Sequence, residues 1–312
     1  MVDLSSMGKV HRTARWAGTQ TILVVAALCM WIPRVAQACA SCACGDPTLT
    51  VMGAEQPFAG RLRLAVEAQY RRDAVGRDTI DRVQLQELRT TLSLAYAPLP
   101  WLMLSVTLPV IARDLTDVTL ARERLMTIGD LEVYGRVYVF RDRAFAPTHT
   151  LGVQVGLRAP TGPLLRDATG SYREPELQPG TGSFDPSAGI TYLMSADPWS
   201  AFVSEVLYVP TRGSVDFQVG VSWRGTHALQ YQLAPAIALR AGVNHRLEAV
   251  SKHGASVEPD SGGFIAFAAF AAVWTPVQDL VLLAQVQAPV INALRGVHDE
   301  GVFASLGAVY DL

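Results

Sequence analysis

Lysine is nearly missing from this chain. Of 312 residues only Lys9 and Lys252 carry an ammonium group, so almost all positive charge is arginine. A planar guanidinium suits partly buried ion pairs better than a compact, strongly hydrated ammonium. Charged residues of either sign make up 17% of the chain, hydrophobic residues 50%, and the formal net charge is −2. With no basic excess, no nucleic-acid partner is expected. Cysteine is also scarce, and all four (Cys29, Cys39, Cys42, Cys44) precede residue 45. Long apolar runs are few. "ILVVAALCMWI" (22–32) is too short for a helical membrane span. "SGGFIAFAAFAAVWTPVQ" (261–278) is uncharged for eighteen residues, but paired glycines open it and Thr275-Pro276 interrupts it, so a strand fits better than a membrane helix.

Residues 1–38 have the form of a secretion signal: Lys9, Arg12 and Arg15, then the apolar 22–32 run, then "AQA" at 36–38. The alternative is a retained membrane anchor. Removal of 1–38 takes away Asp3 and four cations (Lys9, Arg12, Arg15, Arg34), which shifts the net charge from −2 to −5. Cys29 leaves with the signal. An odd three cysteines then remain in an oxidising compartment.

Behind residue 60 the pattern has period two. In "GRLRLAVEAQYRRD" (60–73), Leu62, Leu64, Val66, Ala68 and Tyr70 alternate with Arg61, Arg63, Glu67, Gln69 and Arg71. Alternate side chains of a strand point to opposite faces, so such a segment is apolar on one side and charged on the other. The same reading predicts twelve strands, at 61–72, 83–97, 101–112, 129–141, 149–160, 186–194, 198–209, 214–225, 233–247, 262–274, 278–291 and 301–312. Most are longer than strands of soluble sheets and suit a tilted bilayer crossing. Short and long connections mostly alternate; "PTRGS" after the seventh strand breaks the trend. The chain ends in "SLGAVYDL" (305–312), a terminal strand with an aromatic and a final hydrophobic residue of the kind barrel-assembly machinery reads.

These features predict an all-β fold: a transmembrane antiparallel β-barrel of about twelve strands over 60–312. A cysteine-bearing periplasmic tail (39–59) precedes it, following the signal (1–38). The expected place is the outer membrane of a Gram-negative bacterium, surrounded by its lipid, with both termini periplasmic. A soluble β-sandwich is the competing fold, but its apolar faces would meet inside. Parity assigns Arg61, Arg63, Arg71, Arg89, Arg136, Arg158, Arg224, Arg240 and Arg246 to the lumen. It also assigns Glu67, Glu87, Asp130, Glu132, Glu205, Asp216 and Asp311 there. Mutual ion pairs among them would narrow the lumen into a selective path for a small solute.

"TIGDLEVYGRVYVF" (127–140), "LGVQVGLRAPTGP" (151–163) and "LQPGTGSFDPSAGITY" (177–192), with "LSVTLPVI" (104–111), resemble the outer-membrane transporter family named for the meta-pathway of phenol degradation. In that family a Gly-Asp opens a strand, a strand ending in Pro-Thr-Gly runs into a long loop, and Pro-Gly-Thr-Gly leads into the next strand. The resemblance implies an outer-membrane barrel that passes small, often aromatic or hydrophobic compounds, with no catalytic residues. The cysteine-rich front end departs from the family. The loop 161–185 is expected either to fold into the mouth, with Arg158, Arg166, Asp167, Arg173 and Glu174 facing the path, or to remain a solvated surface loop.

Cys39, Cys42 and Cys44 form the one compact chemical motif. Three thiolates suit a thiophilic ion such as copper or zinc, yet a closed zinc site needs a fourth ligand, for which only Asp46 is near. Ala43 follows the Cys-x-x-Cys pair where haem attachment needs His. A disulfide with a spare thiol, free thiols, and lipidation of Cys39 remain open beside metal binding. They leave a second reading: a metal-handling or redox-linked outer-membrane protein. For a barrel phospholipase, His298-Asp299 lacks an adjacent serine and His253 with Ser256 lacks an orienter. The expected protein is not an enzyme.

Overall fold

The computed structural model describes residues 59–76, 82–117, 119–144, 146–166, 170, 172, 177–277 and 279–312. The predicted signal and Cys39, Cys42 and Cys44 lie outside them. The chain order is β1 (Leu62–Val75), β2 (Val83–Leu99), β3 (Leu102–Thr116), β4 (Arg122–Ile128), β5 (Leu131–Arg141), β6 (His149–Ala159), β7 (Asp185–Ala196), β8 (Trp199–Tyr208), β9 (Phe217–Gln218), β10 (Ser222–Ala234), β11 (Ile237–Glu248), β12 (Lys252–His253), β13 (Ser256–Val257), β14 (Gly263–Val277), β15 (Leu280–Leu294) and β16 (His298–Asp311).

The fold is an antiparallel barrel of twelve strands. Neighbours in sequence pair in turn, and β1 closes the sheet against β16 from Arg63↔Asp311 to Val75↔His298. β4 and β5 form one barrel strand broken at Gly129-Asp130: β4 pairs with the far half of β3, and β5 with its near half. β9, β12 and β13 form a separate three-stranded ribbon. Closure of β1 on β16 completes the ring of paired strands, as hydrocarbon does not tolerate open strand edges; β4, which runs past the rim, pairs on one side only, with β3.

The outer face is apolar. Leu64, Leu92, Leu94, Leu104, Val153, Leu229, Leu239, Val286 and Leu306 all point outward with more than a third of their surface exposed, Leu306 with 68%. A sandwich would bury these residues between its sheets. Aromatic side chains stand along this face, with Tyr96, Trp101, Trp199, Tyr231, Trp274 and Tyr310 towards the short-turn rim. The uncharged 261–278 run is β14, with Ile265, Phe267, Ala269, Ala271 and Val273 inside and Phe270, Ala272 and Trp274 outside.

Two expectations about the connections change. The predicted eighth strand, 214–225, is displaced: the barrel strand is β10, and 217–218 belongs to the ribbon. The seventh connection therefore spans 209–221, and the exception in loop alternation disappears. The third and eleventh connections are instead short, because their strands extend past the rim and close at 117–121 and 295–297.

Candidate functional site

Towards the long-loop rim the lumen wall is a ladder of ion pairs. Glu87, on β2, has a fully buried side chain. It accepts from Arg71 Nε at 3.2 Å, Arg89 Nε at 3.1 Å and Arg113 Nε. Arg71 also meets Asp73 at 3.0 Å. On the facing arc Arg158 lies between Glu132 (3.8 Å) and Asp185 (3.5 Å). Arg158 and Arg224 both lie over the Tyr208 ring, at 4.8 and 4.7 Å, and the Tyr208 hydroxyl donates to Glu132 at 3.0 Å. Arg246 meets Glu300 at 2.8 Å. Charges this deeply buried persist only when paired and hydrogen-bonded, and strand parity delivers the partners to one face.

Lower in the lumen the partners become neutral. Arg136 donates to Gln154 at 2.9 and 3.3 Å, Arg240 to Gln230 at 2.9 and 3.2 Å, and Asn244 to Gln287 at 2.7 Å. Glu67 is buried on the same face. Beside and below these the inner face turns apolar, with Met103 opposite Arg136 and Ala271 opposite Arg240. Ala65, Ala95, Met103, Tyr134 and Val309 pack together, with Tyr138 and Val281 against them. Ala238, Ala271, Val273 and Leu283 continue the layer, also against Val281. Met103 has no accessible surface and Ala95 only 1%, so the side chains of this layer pack closely on one another. At the short-turn rim, Arg63 grips Asp311 through two bonds of 2.5 and 2.7 Å, and Arg61 meets Asp279 at 2.8 Å.

The long loop enters the mouth at Leu177. Leu177 is 6% exposed and packs on the inward Leu85 and Leu115. Its carbonyl accepts from Arg113 Nη1 at 2.9 Å. The loop's two ends are knotted to the break between β4 and β5. The Asp130 carboxylate accepts from the Thr181 amide (2.6 Å), the Thr181 hydroxyl (3.1 Å) and the Gly162 amide (3.1 Å). Thr161 Oγ1 donates to the Gly129 carbonyl at 3.0 Å and accepts from the Leu131 amide at 2.8 Å. Gly180 must lack a side chain, since a Cβ there would sit 2.2 Å from Asp130 Oδ1. The Gly-Asp, Pro-Thr-Gly and Pro-Gly-Thr-Gly segments thus converge in one hydrogen-bonded knot.

Of the residues that parity assigned to the lumen, the structure places Arg63, Glu67, Arg71, Glu87, Arg89, Glu132, Arg136, Arg158, Arg224, Arg240 and Arg246 on the inner wall. Asp216 is not there. It lies in an exposed turn before β9 at φ 61°, paired with Arg212 at 3.1 Å, because the barrel strand begins only at residue 222. Asp130 serves the knot. Glu205 points outward, on the parity of Val203 and Leu207, toward His227 and His245. Arg166 is exposed and stacks on Tyr172 at 3.8 Å, and its Nη1 donates to the Gly170 carbonyl. Asp167, Arg173 and Glu174 fall outside the described residues. Arg113 was missed because the predicted third strand stopped at 112, one residue short; continued alternation from Ile111 would have found it. His253 and Ser256 pair across the exposed β12–β13 hairpin.

No protein-family model matches the sequence, and no curated protein matches it. Among solved structures the chain is similar to an outer membrane channel from Pseudomonas putida F1. The TM-score is 0.65 at 16% identity, over 83% of this chain and 97% of that one. It is also similar to CymD, a monoaromatic hydrocarbon channel (TM-score 0.49, 10% identity, 90% and 98% covered). A third is the translocator domain of the autotransporter NalP from Neisseria meningitidis (0.47, 10%, 83% and 91%). At these identities the likeness is one of fold. The chain has the fold of an outer-membrane β-barrel.

Proposed function

We propose that this protein is an outer-membrane channel for passive passage of a small hydrophobic or aromatic solute, not an enzyme. The observation that carries this reading is the layered lumen: a polar, ion-paired upper section partly covered by Leu177, above a layer of Met103, Tyr134, Val281, Leu283 and their neighbours. The upper section accepts water, and the lower one favours apolar surface. The channel fold shared with the Pseudomonas putida protein supports the reading, as do the segments that resemble the phenol meta-pathway transporter family. So does an apolar exterior suited to outer-membrane lipid. On this reading the short-turn rim and both chain ends are periplasmic, the loop 160–184 faces outside, and Ser305–Leu312 is read by the barrel-assembly machinery. The arginine–carboxylate ladder shapes the path.

The test is uptake into liposomes of stated solutes: a neutral aromatic such as phenol or toluene, a sugar, and an aromatic carboxylate. Faster entry of the neutral aromatic than of the other two is expected, with the rate raised by deletion of 163–176. No solute entry above protein-free liposomes, with the loop intact or deleted, overturns the reading.

A further inference from the structure

The outer wall carries a polar cluster that the lumen does not use. Glu205 on β8, His227 on β10 and His245 on β11 project outward from three consecutive barrel strands. His227 Nε2 lies 2.8 Å from Glu205 Oε1, and His245 Nε2 lies 3.4 Å from Glu205 Oε2. One donor atom from each residue falls within 4.8 Å of the other two.

The floor of the cluster is a glycine. Gly225 pairs with Glu205 on one side and His245 on the other. A Cβ on it would meet His245 Cε1 at 2.3 Å, Glu205 Oε2 at 2.5 Å and His245 Nε2 at 2.6 Å. The two side chains lean together over the space a side chain would fill. Glu205 Oε2 and His245 Nε2 are both buried, and neither has a hydrogen-bond partner. Trp223 packs edge-on against His245 at 5.3 Å, Phe264 lies at 6.2 Å, and His227 stacks on His245 at 5.6 Å, so the rings are held in place.

We propose that Glu205, His227 and His245 form a binding site for a divalent transition metal on the outer wall of the barrel. Two imidazoles and one carboxylate suit zinc, nickel or copper(II) rather than magnesium or calcium, which take oxygen ligands. A metal among the three donors satisfies the buried Glu205 and His245 atoms together, which their 3.4 Å contact as it stands does not. It also ties β8, β10 and β11 to one another.

The test uses the full chain in detergent, without a histidine tag and with Cys39, Cys42 and Cys44 replaced by serine, so that the tail thiols cannot contribute. Zinc alone is titrated by calorimetry, and retained zinc is measured after desalting. Copper(II) quenching of tryptophan fluorescence reports the location, since Trp223 borders the site. One zinc per chain is expected. His245→Gln, Glu205→Gln and Gly225→Ala should each weaken it by about tenfold or more. His227→Gln should do the same, and its exposed ring makes it the variant that leaves folding intact. Quenching should fall in the same variants and in Trp223→Phe. Zinc uptake that is absent, or unchanged by His227→Gln and His245→Gln, overturns the site and leaves an ion pair. The solute-uptake experiment above is independent of this result.

Discussion

Replacing Asp130 with alanine removes the acceptor of three hydrogen bonds from Gly162 and Thr181 and leaves two amides near the mouth without their partner. Hydrogen bonds to a charged group contribute about 1.5–3 kcal/mol each. Two of the three come from one residue, so they are not additive. A net loss of about 3 kcal/mol in the free energy of opening the knot is the lower end, which corresponds to about a hundredfold larger open population. The rest of the barrel retains its pairing, and Leu177 keeps its contacts with Leu85, Leu115 and Arg113. The effect is therefore local. Hydrogen exchange at the Gly162 and Thr181 amides should accelerate by about that factor, while amides in the β14–β15 pairing stay protected. Gly180→Ala reaches the same end from the other side, by driving a methyl group into the carboxylate. If both variants leave exchange at Gly162 and Thr181 within about twofold of the parent, Asp130 does not latch the loop.

Other expectations follow from the same geometry. Met103→Gly opens the apolar layer where the parent side chain has no exposed surface, so solute flux in liposomes should rise; equal flux would show that the layer does not limit passage. Glu87→Gln leaves Arg71, Arg89 and Arg113 around a neutral amide, and should lower unfolding free energy in urea by about 3–5 kcal/mol. A loss below about 1 kcal/mol would mean that water relieves the cluster. In the 142–148 turn, the Asp142 carboxyl is held below the ordinary carboxylate range, chiefly by the His149 amide, with Arg143 adding to it. A folded value below the unfolded one gives stability that is present above the unfolded value and is lost as pH falls through the folded one. The Asp142 carboxyl resonance should thus titrate at lower pH than a peptide aspartate, and a midpoint at or above the peptide value would contradict the contact.

Alternation made most of the wall legible. From Leu64 to Arg71, and again from Leu131 to Tyr138, each side chain lies on the face its parity assigns, because a one-residue slip would place every arginine in lipid. Alternation fails where an apolar residue has two apolar destinations. Phe217, Val219, Val221 and Trp223 share one parity, yet the first two are buried and the last two face outward. The parity changes near Gly220, and nothing in the pattern distinguishes interior from lipid. On β8 both faces mix polar and apolar residues, so the parity that assigned Glu205 to the lumen took the wrong face as inward. The contrary signal was present: His227 and His245 also occupy the outward parity of their strands, opposite Gly225. The loop segments could be recognised by resemblance, but their function as a knot depends on contacts between residues about 30 and 50 positions apart. Period-two patterning carries no information about such contacts.

On the proposed reading as a channel, the division of the lumen bears on what would set selectivity. Arg63, Arg158 and Arg246 are each bound to carboxylates of the same wall, and Glu87 is shared among arginines. A charged solute would have to break these contacts to engage the ladder, so the ladder holds the shape of the path more than it attracts ions. On the same reading the apolar layer would discriminate more strongly. A neutral aromatic that buries about 100 Å² of apolar surface there gains about 2.5 kcal/mol. A carboxylate stripped of water in the same layer loses far more than that. Hydration alone therefore ranks the neutral aromatic above its own carboxylic acid anion. The ranking reverses only if the layer opens wide enough to carry water with the solute.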